Sequence, residues 1–265
     1  MSNQETAPVL LTRDGAVASL RLNRPAVLNA LDEGTAAAFR DACKDVAADP
    51  SVRVLVIAGK GRGFMAGGDL ARFRADPEHG PDIAATIIGS LHEALLILER
   101  LHAPVVASVH GPVAGAGMSL ATAADLCIAA DDAKFTLAYA RIGATPDGSG
   151  TYHLPRLVGL RKAMELAMLA DTIDAAEALR IGLVNRVVPA AALADETRAL
   201  AARLAAGPTR SYAHIRRLLR QSWTATLTEQ LDAERDAFRA SAATEDFKEG
   251  ITAFFEKRGA DFHGR

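Results

Sequence analysis

The sequence predicts an α/β fold: a core of βαβ units over residues 1–200 and a helical C-terminal part over residues 201–265. Three observations carry that expectation. Short β-rich runs alternate with helical patterns through the first half, which implies right-handed βαβ units and a mainly parallel sheet. Residues 52–58 (VRVLVIA) form an apolar run broken by one Arg, as a strand buried on both faces requires. After Gly150 the pattern turns almost wholly helical, punctuated by Pro189 and Gly207-Pro208.

In chain order, residues 17–22 read as a strand that Pro25 stops, and a helix follows over 33–47. Asp49-Pro50 is a turn before the buried strand at 52–58. A glycine-rich loop spans 59–68. A long helix is expected over 82–101. His92 and Glu93 interrupt its apolar stretch, so it reads as amphipathic or buried, not as a bilayer span. Residues 104–109 give the next strand, which ends in His110-Gly111-Pro112. Gly115-Ala116-Gly117 opens a helix that runs to Ala124, and residues 126–130 form another strand. One short strand, 183–188, interrupts the helical remainder.

Composition narrows the function. With 265 residues, 49% hydrophobic and 23% charged, the chain can bury a sizeable core. A formal net charge of -2 and no basic stripe argue against a nucleic-acid partner. Cys43 and Cys127 belong to no CxxC pair or Cys/His cluster, so they read as buried thiols in a reducing cytoplasm, with no metal site. Residues 1–8 are polar and lack the apolar segment of a signal peptide; neither secretion nor a membrane partner is expected.

Four segments carry the chemistry: Asn23-Arg24-Pro25-Ala26-Val27-Leu28-Asn29-Ala30-Leu31; Phe64-Met65-Ala66-Gly67-Gly68-Asp69-Leu70; Val109-His110-Gly111-Pro112-Val113-Ala114-Gly115-Ala116-Gly117; and the run from Ala140 to Gly150 that contains Pro146-Asp147. In an open α/β sheet, ligands bind where loops leave the carboxyl ends of strands. Small residues there let a ligand approach the backbone. A helix that opens at Gly115-Ala116-Gly117 offers unpaired N–H donors and a partial positive charge. Two such donors from separate loops make an oxyanion hole. Each glycine-rich piece alone reads more readily as a tight turn with close helix–strand packing.

Together, and with residues 250–258 (GITAFFEKR), these segments resemble the enoyl-CoA hydratase/isomerase (crotonase) family from Val17 to Phe262. The resemblance implies a spiral-like α/β core, a helical trimerisation part, and homotrimers or hexamers acting on an acyl-CoA thioester, with no cofactor beyond the CoA of the substrate. It implies an oxyanion hole from the N–H groups of Gly68 and Ala116. Ala26, Leu28, Ala66, Asp69 and Leu70 would line the pantetheine and adenine path. Phe254 and Lys257 would join the CoA site, often from a neighbouring subunit.

The hydratases of this family use two glutamates, and the matching positions here are Ser119 and Tyr139, neither a competent replacement for a carboxylate at neutral pH. Asp147 is the acid within reach. On its own it also reads as an N-cap of the helix that follows. The stretch around it, followed by Leu154-Pro155-Arg156-Leu157-Val158-Gly159, is similar to the phenylacetate-pathway isomerases. His92 is a candidate accessory group or an ordinary histidine on a Leu/Ile-rich helix. Tyr139 is a candidate for shaping the acyl pocket. The expected reaction is a double-bond shift with Asp147 as proton shuttle, in a dry pocket of Met65, Leu70, Val113, Met118 and Ile142 that raises its basicity. Hydration, nucleophilic attack by Asp147 on an aryl-CoA, and acyl-CoA binding without turnover stay open as alternatives.

Overall fold

The computed structural model describes residues 6–265. Strand β1 (Val9–Asp14) turns back into β2 (Val17–Leu22), and the two pair antiparallel. Helix α1 (Glu33–Ala48) starts where the Asp32 carboxylate accepts from the Thr35 N–H at 2.8 Å, an N-cap on a helix whose Ala36, Phe39, Cys43 and Val46 face the core. Then come β3 (Val54–Gly59), α2 (Leu70–Ala75), α3 (Gly80–Arg100), β4 (Val105–Val109), β5 (Pro112–Ala114), α4 (Ala116–Ala123), β6 (Leu126–Ala130) and β7 (Lys134–Thr136). The remainder is α5 (Gly150–Val158), α6 (Leu160–Leu169), β8 (Ile173–Asp174), α7 (Ala175–Arg180), β9 (Arg186–Val188), α8 (Leu193–Ala205), α9 (Thr209–Gln221), α10 (Leu227–Ala242) and α11 (Glu245–Glu256).

The main sheet has the order β1-β2-β3-β4-β6-β9, parallel from β2 onward. A second sheet, β5-β7-β8, packs beside it. One face of the main sheet carries the principal core, with α1 and α3 packed against each other over it. The other face is covered by α8, whose Leu193, Leu200 and Ala201 pack on Val54, Val56, Val106 and Ile128. Helix α3 has the length and hydropathy to cross a bilayer, yet Ile83, Ile87, Leu91, Ala94, Leu95 and Leu98 are buried in this core as one helical stripe.

The strands expected at 17–22, 52–58, 104–109 and 126–130 and the helix at 33–47 are present within two residues of their bounds. Strand β1 has no counterpart in the sequence pattern. It is a half-exposed edge strand, so its pattern lacks the apolar run that marks the central strands. The strand expected at 183–188 shrinks to Arg186–Val188, and β5, β7 and β8 are two or three residues long, too short for any periodicity. Cys43 and Cys127 are free and buried, and burial pushes the Cys127 thiol up to about 12.

Candidate active site

Two loops meet at the carboxyl ends of β3 and β4. After β3, the chain forms parallel bridges Met65–Val113 and Leu31–Gly68. The Gly67 carbonyl accepts from the Leu31 N–H and the Asp69 N–H donates to the Leu31 carbonyl, both at 2.8 Å. That pairing turns the intervening Gly68 N–H the other way. Among the described residues it donates to no acceptor. The Ala116 N–H, at the first position of α4, likewise has none, as a helix start dictates.

Glycine brings these donors together. Gly67 has φ +103 and Gly115 φ +51, and a Cβ added to Gly115 would lie 3.4 Å from the Gly67 Cα. A Cβ on Gly117 would sit 2.3 Å from the Met65 carbonyl oxygen. Two unpaired N–H groups on abutting loops, one at a helix N-terminus, can bind an oxygen that gains negative charge.

The first motif clamps this end. The Asn29 side chain is fully buried, and its amide nitrogen donates to the carbonyls of Lys60, Gly63 and Phe64 at 2.9–3.0 Å. Its Oδ1 accepts from the Arg24 N–H. The Arg24 guanidinium meets Asp69 and Asp32 at 3.0 Å each and donates to the Ala30 carbonyl at 2.6 Å. The Ala66 N–H donates to the Leu28 carbonyl at 3.0 Å, so Ala26, Leu28, Ala66 and Asp69 belong to one structural unit. The motif contains Arg24 and Asn29 but gives neither a role; only the fold shows which carbonyls they reach.

The acyl end is built from side chains. The Tyr139 hydroxyl donates to Asp147 Oδ1 at 2.5 Å and lies 3.5 Å from Ser119 Oγ. The ring of Tyr139 packs beside Gly115, next to the two free N–H groups. Ser119 is buried beneath the turn, since a Cβ on Gly150 would lie 2.6 Å from its Oγ. Burial raises the Asp147 carboxyl above its ordinary value; the Tyr139 hydrogen bond opposes that rise, as does the His92 ring when it carries a proton. Burial, then the Asp147 charge, push the Tyr139 phenol far above its usual range, so it stays a donor.

Several expectations need correction. Asp147 caps no helix: α5 starts at Gly150 behind Ser149, without a side-chain cap, and the Asp147 carboxylate turns to Tyr139 instead. The pairing between residues 139 and 147 has no periodic signal. His92 lies exposed on α3, as the helix-surface reading has it. Its Nε2 accepts from the Gly148 N–H at 3.3 Å, so α3 steadies the Asp147 turn. Of the expected dry wall, Met65, Val113 and Met118 are buried, but Leu70 is 53% and Ile142 57% exposed, because both sit at the rim of the loops. Phe254 is 76% exposed, and Lys257 ends α11 in the left-handed region. Among the described residues, no hydrogen bond or ring contact joins either to Gly68, Ala116 or Asp147. The tail that binds α11 is held by Arg53, which donates to the Phe262 carbonyl at 3.0 Å from the amino end of β3, opposite the site loops.

Residues 12–265 match the family described as Enoyl-CoA hydratase/isomerase. The chain is 38% identical over 250 residues to 1,2-epoxyphenylacetyl-CoA isomerase of Escherichia coli (strain K12), covering 94% of this chain and 95% of that protein. It is 37% identical over 256 residues to crotonyl-CoA hydratase of Syntrophomonas wolfei, covering 96% and 97%. The crystal structure of an enoyl-CoA hydratase from Polaromonas sp. JS666 superposes with a TM-score of 0.91 at 35% identity, covering 96% of this chain and 99% of that one.

Proposed function

The chain belongs to the enoyl-CoA hydratase/isomerase family, and on that premise we propose that it is an enoyl-CoA isomerase that moves a double bond between the beta,gamma and alpha,beta positions of an acyl-CoA thioester. One observation carries the choice of isomerase. Among the described residues, the acyl end holds a single carboxylate, Asp147, and the two positions that resemble the hydratase glutamates carry the hydroxyl side chains Ser119 and Tyr139. Hydration needs a base for water and an acid for carbon; a shuttle needs one group that takes a proton and gives it back.

The thioester carbonyl docks on the N–H groups of Gly68 and Ala116. Asp147 removes a proton from the alpha carbon, and the electron pair spreads through a dienolate onto the thioester oxygen, where the two N–H donors stabilise it. Protonated Asp147 then delivers the proton to the gamma carbon. Burial favours this cycle by raising the basicity of the carboxylate. The CoA body follows Ala26, Leu28, Ala66, Asp69 and Leu70, with Phe254 and Lys257 supplied by a neighbouring copy in a homotrimer or hexamer.

The test is ultraviolet absorbance of the conjugated thioester on mixing the protein with beta,gamma-unsaturated CoA esters. Absorbance that rises with the native protein and not with Asp147→Asn supports the reading. If an alpha,beta-enoyl ester loses absorbance through water addition instead, hydration is the activity. No change with either protein, while both bind CoA esters, leaves a binder or an aryl-CoA nucleophile.

A further inference from the structure

We infer that Tyr139 is the positioning group of Asp147: its phenol holds Oδ1, leaves Oδ2 as the oxygen that meets the acyl carbons, and sets the acidity at which Asp147 stops acting as a base. The role as base rests on the isomerase reading; the hold on the carboxylate does not.

The hydrogen bond is 2.5 Å, in the range of a charge-assisted O–H···O⁻ contact. The phenol stands 3.5 Å from Ser119 Oγ, too far for that hydroxyl to compete for its proton. Tyr139 itself has little freedom. It lies in the short 3-10 turn Ala138–Ile142, its carbonyl accepts from the Ala144 N–H at 3.1 Å, and its ring abuts Gly115. The phenol is therefore fixed to the loop that carries the Ala116 donor, and it ties the acid–base group to the oxyanion hole through one ring.

The Asp147 turn is the strained partner. Gly148 and Ser149 both have positive φ, at 55 and 65 degrees, a conformation that a serine adopts at a cost. Three groups face it from three elements. His92 of α3 accepts from the Gly148 N–H, Tyr139 donates to Oδ1, and His153 of α5 meets Ser149 Oγ at 2.9 Å. Ser119 of α4 lies beneath and does not titrate. No Lys, Arg, Asp or Glu pairs with Asp147 among the described residues. Of the three, only Tyr139 touches the carboxylate, and it is bonded to Oδ1 alone.

The proton balance follows. The C–H proton passes to Oδ2, the C–H pair enters the dienolate, and the same proton leaves Oδ2 for the gamma carbon, so the carboxylate is regenerated. The phenol proton never leaves Tyr139. It stabilises the carboxylate form, and its removal makes Asp147 harder to ionise.

The experiment pairs two readouts on the native protein and Tyr139→Phe, which keeps the ring and its packing. The first is a carboxyl-carbon NMR titration, with the Asp147 signal assigned by its loss in Asp147→Asn. The second is the pH profile of kcat/KM for a beta,gamma-unsaturated CoA ester. In Tyr139→Phe the Asp147 midpoint rises by about one pH unit, and the acid limb of the profile moves up with it. An unshifted midpoint in a folded Tyr139→Phe protein overturns the inference, whatever the activity. A shifted midpoint in a protein that isomerises no CoA ester supports the phenol's hold on Asp147 and removes the isomerase reading. A shifted midpoint with an unshifted limb shows that the phenol holds a carboxylate that is not the base, and overturns the positioning role.

Discussion

The two ends of the site are built from different materials. The thioester end is backbone: the N–H groups of Gly68 and Ala116, set by the Leu31–Gly68 bridge, by Gly67 and Gly115 in close approach, and by an amide side chain from Asn29. The acyl end is side chain: Asp147, Tyr139, Ser119 and His92, drawn from four separate segments. Backbone donors cannot be mutated away or titrated, so the thioester end is fixed by the fold. Side chains change one at a time, and with them the reaction. A family that keeps the first and varies the second can hold one enolate and perform several chemistries with it.

The largest effect should come from the acyl end. Asp147→Asn keeps the shape and the Tyr139 contact but removes the base, and kcat should fall by about 10³-fold or more. Binding of a saturated CoA ester, measured by calorimetry, should be unchanged. Weakened binding to the same degree would show that the two ends are not separable. Next comes the thioester end. Gly117→Ala places a Cβ 2.3 Å from the Met65 carbonyl oxygen, so either the loop at Met65 or the start of α4 must move. The Ala116 N–H then misses the oxyanion, and kcat should fall by roughly 10²–10³-fold, the effect of losing one such donor. An active Gly117→Ala enzyme would place the oxyanion hole elsewhere.

The same division explains what the sequence reveals. Central strands at 54–59 and 105–109 are visible because burial on both faces leaves continuous apolar runs. The glycines at 67, 115 and 117 are visible as a pattern because Gly67 and Gly115 take positive φ and a Cβ on Gly117 would collide with the Met65 carbonyl oxygen. The Tyr139–Asp147 bond, the reach of His92 to Gly148, and the exposure of Leu70 and Ile142 are not visible. Each depends on where a loop turns in three dimensions. For Asp147, local chemistry points the wrong way: an Asp before a helix is a good N-cap, and here a left-handed Ser149 takes that place and frees the carboxylate for another partner.

Asn29→Ala sharpens the comparison within the thioester end. It strips the shared donor from three carbonyls, of Lys60, Gly63 and Phe64, in a region with no room for bulk solvent at Asn29. Stability to urea should fall by about 2 kcal/mol, with increased hydrogen exchange in the 60–68 loop and little change around Asp147. Equal loosening of both ends would mean that they form one cooperative unit.

Acid should separate the two ends with an effect no larger than that. Burial, and then the Arg156 charge, hold the His153 ring down to about 4 against its ordinary 6.5. Between those values the unfolded chain binds a proton that the folded chain refuses, so folding stability is full above pH 6.5 and declines as the pH falls toward 4. At about 1.4 kcal/mol per unit, discounted for a ring that is partly exposed, the loss amounts to about 2 kcal/mol. His153 contacts Ser149 Oγ, two residues from Asp147, so the strain falls on the acyl end. The Asn29 amide of the thioester end has no proton to gain or lose in this window. Urea denaturation from pH 7 to 4 should therefore show a flatter stability curve for His153→Gln than for the native chain. An unchanged slope would mean that His153 is already protonated in the folded state, and that the acyl end resists acid as the thioester end does.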